Sequence, residues 1–224
     1  MSVSRRELIT KGAAAGGLVW AAPAISTISS KAAAASPGCV CTSAGTGLRG
    51  SVTLLGNTTT LGPFGTNGCV ANVDVLGVVL AQTVCGSASG DPDCTAEASL
   101  VSLQIGFAGV PAALVQVGAA TANVSAPNTT PCGAASGSST LASLSIGGNP
   151  IVISGAPNQA ITLGPVSVII NEQCCNASGQ SVVRALHVVV SDPLNPLIGA
   201  EVVVAEAVAG ASCCPTCNFG PACT

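Results

Sequence analysis

Apolar and polar positions along this chain fall into short runs rather than long stripes. The densest part spans residues 159–209, with three runs rich in Val and Ile at 166–170, 182–190 and 201–204. Each run is closed by Gly, Pro, Asn, Asp or Ser and is short for a free-standing helix, the pattern of β-strands. Further strands are predicted near 51–55, 69–84, 98–107, 113–125, 140–146, 151–153 and 160–163. The linkers at 86–92, 126–133, 147–150 and 155–158 are built from residues that turn a chain. Residues 114–124 are the nearest helical alternative. Many short strands with frequent turns predict an all-β fold, a sandwich of jelly-roll or Greek-key type. A β-solenoid is the alternative, although no fixed-period repeat is present.

Period-two alternation assigns faces. In 166–172 the set Val166, Val168 and Ile170 is apolar, and Glu172 ends that face. In 182–191 regular alternation puts Arg184 and His187 on opposite sides. Both faces of that strand are largely apolar, which predicts a covered central position.

The N-terminus changes the picture of the whole chain. Ser4-Arg5-Arg6-Glu7-Leu8-Ile9 and Lys11 precede a modest apolar segment, 12–25, and small residues at 32–35. Charge, apolar run and small-residue site in that order form an export signal over 1–35. The Arg5-Arg6 pair resembles a twin-arginine signal. That resemblance implies the twin-arginine translocase and a signal peptidase as transient partners, and export of an already folded chain. The apolar segment is too short and too rich in Gly and Ala for a stable transmembrane span. One β-rich domain, 36–224, is then expected, with cysteine-rich arms at 36–69 and 210–224. At roughly 190 residues it can bury about 70% of the surface its unfolded chain exposes.

Beyond residue 35 only Arg49 and Arg184 remain as cations, against eight acids. Two cations cannot neutralise a run of phosphates, which excludes a nucleic-acid partner. Trp20 lies in the signal and Tyr is absent, leaving Phe64, Phe107 and Phe219. Stacking platforms for bases or sugars therefore lack their usual hardware. There is no Lys after Lys31 and a single His, so catalytic equipment is thin and no cofactor motif stands out.

All twelve cysteines lie beyond the signal, at Cys39, Cys41, Cys69, Cys85, Cys94, Cys132, Cys174, Cys175, Cys213, Cys214, Cys217 and Cys223. An even number in an exported chain points to disulfides, here with about ten thousand formal connectivities. Cys85 and Cys94 flank a turn-rich loop and form one local candidate pair. The neighbours Cys174-Cys175 and Cys213-Cys214 are expected to bond to separate partners, because bridging adjacent residues strains the backbone. Cys214-Pro215-Thr216-Cys217 has C-x-x-C spacing. It lacks both the second ligand pair of a zinc site and the βαβ context of a redox motif.

Asn171-Glu172-Gln173 ends the first valine run, Ala185-Leu186-His187 lies in the next, and a V-V-V-A-E-A strand follows. Together these resemble the choice-of-anchor P family of bacterial secreted or surface proteins. The resemblance implies location and architecture, with no reaction attached. Its titratable residues are Glu172, Arg184, His187, Glu201 and Glu206. One reading pairs Glu172 with His187 as acid and base, or joins them to Asp74 around a metal. The plainer reading pairs Arg184 with Glu172 or Glu206, while His187 and Asn171 satisfy backbone groups at strand ends. Four N-x-S/T sequons, at Asn57, Asn123, Asn128 and Asn176, are read as polar turns. The functional expectation is a disulfide-stabilised structural or adhesive protein, self-associating or bound to a cell-envelope partner. A Glu172/His187 hydrolase and a cysteine-based metal module are the alternatives.

Overall fold

The computed structural model describes residues 39–90, 93–129, 132–191, 196–214 and 217–223. Arg5, Arg6 and the whole predicted signal lie outside them. Among the described residues there is no helix. In chain order the strands are β1 (Cys41–Leu54), β2 (Asn57–Phe64), β3 (Gly68–Val70), β4 (Val73–Val75) and β5 (Val79–Ser89). They continue with β6 (Cys94–Phe107), β7 (Val110–Val117), β8 (Ala120–Ala126), β9 (Ser136–Leu141) and β10 (Leu144–Ile146). The last are β11 (Asn149–Pro150), β12 (Gln159–Leu163), β13 (Val166–Cys175), β14 (Ser181–Ser191) and β15 (Ile198–Ala211).

They form two antiparallel sheets that face each other, the expected β-sandwich. The first runs β12-β13-β14-β15-β1-β2. In the second, β6 pairs with β5 on one side; its other side is shared by β7 and β8. β9 closes the β8 side, β10 and β11 extend β7, and β3 and β4 both pair with β5. Every pairing between these strands is antiparallel, and neither sheet closes into a barrel, which disposes of the solenoid alternative.

Several boundaries differ from the sequence expectation for physical reasons. Residues 41–64, assigned to a cysteine-rich arm, form β1 and β2, and β1 is an interior strand zipped to β15 from Cys41↔Ala211 to Leu54↔Ile198. The predicted helical alternative at 114–124 is two strands, β7 and β8, separated at Gly118-Ala119. The 86–92 linker is largely strand, since β5 runs on to Ser89. Residues 151–153 form no strand. Of the sequon asparagines, Asn176 holds a turn by accepting from the N–H groups of Ser178 and Gln180, whereas Asn123 lies mid-strand in β8 and so is no turn residue.

The core between the sheets has two unequal halves. One half is filled by branched side chains, among them Val166, Val168, Ile170, Leu186, Val188 and Val202 facing Leu100, Leu103, Ile105 and Val115. The other is lined by Ala205, Ala207, Ala209 and Ala211 against Ala96, Ala98, Ala120 and Ala122. There the backbones approach directly: a Cβ on Gly45 would lie 2.0 Å from the Glu97 carbonyl oxygen, and one on Gly86 would lie 2.2 Å from that of Gly45. Small residues in this half are what allow the sheets to come together.

All twelve cysteines are paired, and none is free. Cys39–Cys213, Cys41–Cys94 and Cys132–Cys214 bind the first and last described segments to each other and to the second sheet. Cys174–Cys223 and Cys175–Cys217 fasten the tail to β13, and Cys69–Cys85 links β3 to β5. Adjacent cysteines do take separate partners. The Cys85–Cys94 pair does not form: hairpin register sets Cys85 opposite Ser99, while Cys94 is fully buried in the core.

Candidate functional site

The charged residues of the first sheet converge on its face away from the second sheet. Register places Glu172, Arg184, Glu206 and Thr46 side by side across β13, β14, β15 and β1. The adjacent row on that face holds Ile169, His187, Val203 and Arg49.

Regular alternation would have separated Arg184 from His187, yet both contact the same carboxylate oxygen of Glu172. The cause is a shift of phase shared by four strands. Ala185 and Leu186 are consecutive yet both belong to the core, as do Ala205 and Val204. In β1, Leu48 is in the core and a Cβ on Gly47 would strike the backbone of Cys85 in the facing sheet. Flanking Ala185, Asn171 and Ala205 adopt left-handed conformations, with φ of 52° and 48°. Such a residue turns the pleat by an extra step. Two neighbours then face inward, and the residues on either side of them, Arg184 and His187, both face outward.

The resulting network alternates in sign. Arg184 Nη1 donates to Glu172 Oε2 at 2.8 Å, and its Nε donates to Glu206 Oε2 at 2.7 Å. Arg49 grips Glu206 with two nitrogens, Nε donating to Oε1 at 2.7 Å. His187 lies between two carboxylates, with Nδ1 3.4 Å from Glu172 Oε2 and Nε2 3.4 Å from Glu201 Oε1. Neither approach has hydrogen-bond geometry. Glu172, Arg184, His187 and Glu206 are buried.

Burial is the strongest single influence on the Glu172 carboxyl and opposes its charge. The contacts with His187 and Arg184 together outweigh it and lower the pKa to about 2. Glu206 follows the same balance: burial works against ionisation, and Arg49 and Arg184 overcome it, leaving the pKa below the ordinary carboxylate value. The hydrogen bonds that Arg49 donates to Glu206 raise the pKa of Arg49 in turn, against the effect of burial.

A second polar cluster sits beside this one on the core side. Ser139 Oγ donates to Asn171 Oδ1 at 2.9 Å, and Gln173 Nε2 reaches the same oxygen at 3.2 Å. Asn171 Nδ2 donates to the Gly155 carbonyl at 3.1 Å. Asn171 thus ties β9, β13 and the loop before β12 together.

Asn171, Glu172, Gln173, Ala185, Leu186 and His187 therefore occupy neighbouring rows of two paired strands. The expected Arg184 pairing holds with both glutamates at once. His187 does not satisfy a backbone group at a strand end; it sits mid-strand between carboxylates. Asp74 does not join it, because Asp74 is on β4 of the other sheet, accepting from Gly77 N–H at 3.0 Å. Among the described residues no cluster of His, Cys, Asp and Glu could hold a metal ion. Arg49, which lies 157 residues from Glu206 in sequence, is the participant that sequence reasoning missed. Its position across from Val203 in a paired strand was the missing information.

Chemically the arrangement suits cohesion better than catalysis. A general base works best with a pKa near the operating pH. Glu172, held at about 2 and committed to Arg184, is far from that condition. Two shallow grooves of about 430 and 450 Å³ lie instead on the outer face of the second sheet. The first is lined by Asp74, Gln82, Gln104 and Gln116, the second by Ser87, Glu97, Ser99 and Thr121. Comparison with known proteins returns no match among family models, curated proteins or solved structures.

Proposed function

We propose that this chain is an exported structural or adhesive protein of the cell surface or extracellular space, built to persist rather than to catalyse. The observation that carries the reading is the pairing of all twelve cysteines, which ties the segments flanking the strands at both ends of the described residues to a sandwich poor in titratable side chains. Disulfides persist in oxidising compartments. The signal-like segment at 1–35 and the resemblance to choice-of-anchor P proteins support the same destination. On this reading the twin-arginine translocase and a signal peptidase act on the precursor, and a cell-envelope component or a second copy is the lasting partner.

Two measurements test the proposal. Replacing Arg5 and Arg6 by Lys should leave full-length precursor inside the cell while the unmodified chain appears outside, shortened by about 35 residues. Release of both forms alike would overturn the export route. Purified oxidised protein should also retain cell envelopes or itself in sedimentation assays. Turnover of ester, glycoside or peptide substrates that is abolished in His187→Ala would replace the structural reading with an enzymatic one.

A further inference from the structure

The disulfides differ in how far a reagent can reach them and in what holds their ends. Cys41–Cys94 and Cys174–Cys223 each include a buried residue, Cys94 and Cys174. Cys39–Cys213 and Cys132–Cys214 lie together, with the Cys213 and Cys214 sulfurs 3.9 Å apart, and Cys214 shares a small cavity with Cys217. In that cluster each bridge steadies the next. Cys132 is exposed, but Cys39–Cys213 anchors the residue beside Cys214, so an opened Cys132–Cys214 pair stays face to face and closes again. Cys174–Cys223 anchors the residue beside Cys175 in the same way.

Cys69–Cys85 stands apart. Its ends are 16 residues apart in sequence, the shortest separation of the set, and no other cysteine lies between them. Cys69 is the middle residue of β3, whose three residues are all exposed, so this strand rests on β5 without filling a core position. Register sets Cys85 opposite Cys69 on one side and opposite Ser99 on the other. Both cysteines line the groove of about 450 Å³ on the outer face, together with Glu97, Ser99 and Thr121. A Cβ on the neighbouring Gly68 would meet no atom within 4 Å, which leaves the approach to Cys69 open. Charge then decides what enters. Arg49 and Arg184, the two cations beyond residue 35, both belong to the first sheet. Glu97 therefore gives the groove a negative charge that no cation of the second sheet offsets, which repels an anionic thiol and admits a neutral or cationic one.

We propose that Cys69–Cys85 is a thiol-exchange site that takes neutral or cationic thiols. The incoming thiolate attacks the exposed Cys69 sulfur and forms a mixed disulfide with it. The Cys69–Cys85 bond breaks in the same step, and its electron pair leaves with Cys85 as a thiolate, so one disulfide replaces another. The incoming group is then held covalently on β3 at the groove, and the Cys85 thiolate can return to expel it. Because β3 fills no core position, the exchange leaves the sandwich intact. This site stands independently of the structural reading of the whole chain.

The test uses the full oxidised protein without denaturant. Cysteamine, mercaptoethanol and mercaptoethanesulfonate are applied at equal thiolate concentration, free thiols are alkylated over a time course, and the peptides are mapped by mass. The first adduct is expected on Cys69 with Cys85 alkylated, forming about tenfold faster than at any other bridge. Cysteamine should react fastest and the sulfonate slowest. Glu97→Gln, at an exposed position, should narrow that spread with an unchanged circular dichroism spectrum. First opening at Cys132–Cys214, or equal rates at all bridges, overturns the site. A first adduct on Cys85 overturns the direction of attack. A spread indifferent to Glu97→Gln overturns the selection by charge, while leaving exchange at Cys69 in place.

Discussion

At the scale of single residues, Glu172 carries the clearest energetic signature. Its carboxylate is buried, is bonded to Arg184 and lies beside His187. Removing one member of a buried charge network leaves the others uncompensated, at a cost of about 3 kcal/mol. Glu172→Gln is therefore expected to lower stability by that order at pH 7. The effect has a defined pH window. A carboxyl whose folded pKa lies below its unfolded value stabilises fully above the unfolded value and loses that contribution as pH falls through the folded one. Here the unfolded value is 4.5 and the folded one about 2. Denaturation at a series of pH values should show the gap between parent and Glu172→Gln constant above pH 5 and closing towards pH 2. A gap independent of pH would mean that the charge of Glu172 is not what stabilises. Much of this network was legible in the sequence, where Glu172, Arg184, His187, Glu201 and Glu206 stand out as the titratable residues of the valine-rich strands. Their grouping was not, because counting alternate residues puts Arg184 and His187 on opposite faces and gives no hint of Arg49.

At the scale of elements, the controlling feature is the shift of phase through β13, β14, β15 and β1. It depends on the left-handed Asn171, whose amide also bridges to Gly155 and Ser139. Asn tolerates that conformation and a β-branched residue does not. Asn171→Val is expected to cost about 3 kcal/mol, the lost buried hydrogen bonds adding to the backbone strain. Asn171→Gly, which keeps the conformation, should cost distinctly less; equal losses in chemical denaturation would show that φ is irrelevant there. On the alanine side of the shift, Gly45→Ala would press a methyl group against the Glu97 carbonyl at 2.0 Å. Overpacking between two backbones is expected to destabilise by about 3 kcal/mol, whereas Gly77→Ala, with open space around it but a φ of +65°, should show only the smaller cost of the strained turn. These elements were partly hidden from sequence reasoning. The first half of β1, Cys-Thr-Ser-Ala-Gly-Thr-Gly, has no apolar alternation because its inward positions must be nearly empty for the sheets to meet. The strands at 166–171, 182–191 and 201–209 were plain because they lie mostly in the deep half of the core, where inward positions must be large.

At the scale of the molecule, the disulfides gather where the buried side chains are smallest. Cys41 pairs in register with Ala211 and Cys94 with Ala126, both at the alanine end. Cys174 and Cys175 lie past the phase shift in β13, and Cys85 N is among the atoms that a Cβ on Gly47 would meet. An alanine side chain removes much less apolar surface from water than Val, Leu or Ile, and burial is worth roughly 25 cal/mol per Å². The thin half therefore gains little from its own packing, and cross-links that restrict the unfolded chain offset the difference at about 2–4 kcal/mol each. Cohesion is divided between apolar burial at one end and sulfur at the other. Reduction should then act on half of the molecule before the whole. With all six bridges reduced in the absence of denaturant, hydrogen exchange is expected to speed up in residues 41–47, 94–98, 120–126 and 205–211. Protection should persist in 166–170, 186–190 and 202–204. That outcome also bears on the proposed export route, in which a chain moved in the folded state before oxidation would need its valine-rich half to stand without disulfides. A uniform loss of protection on reduction would show one cooperative unit that depends on its bridges throughout.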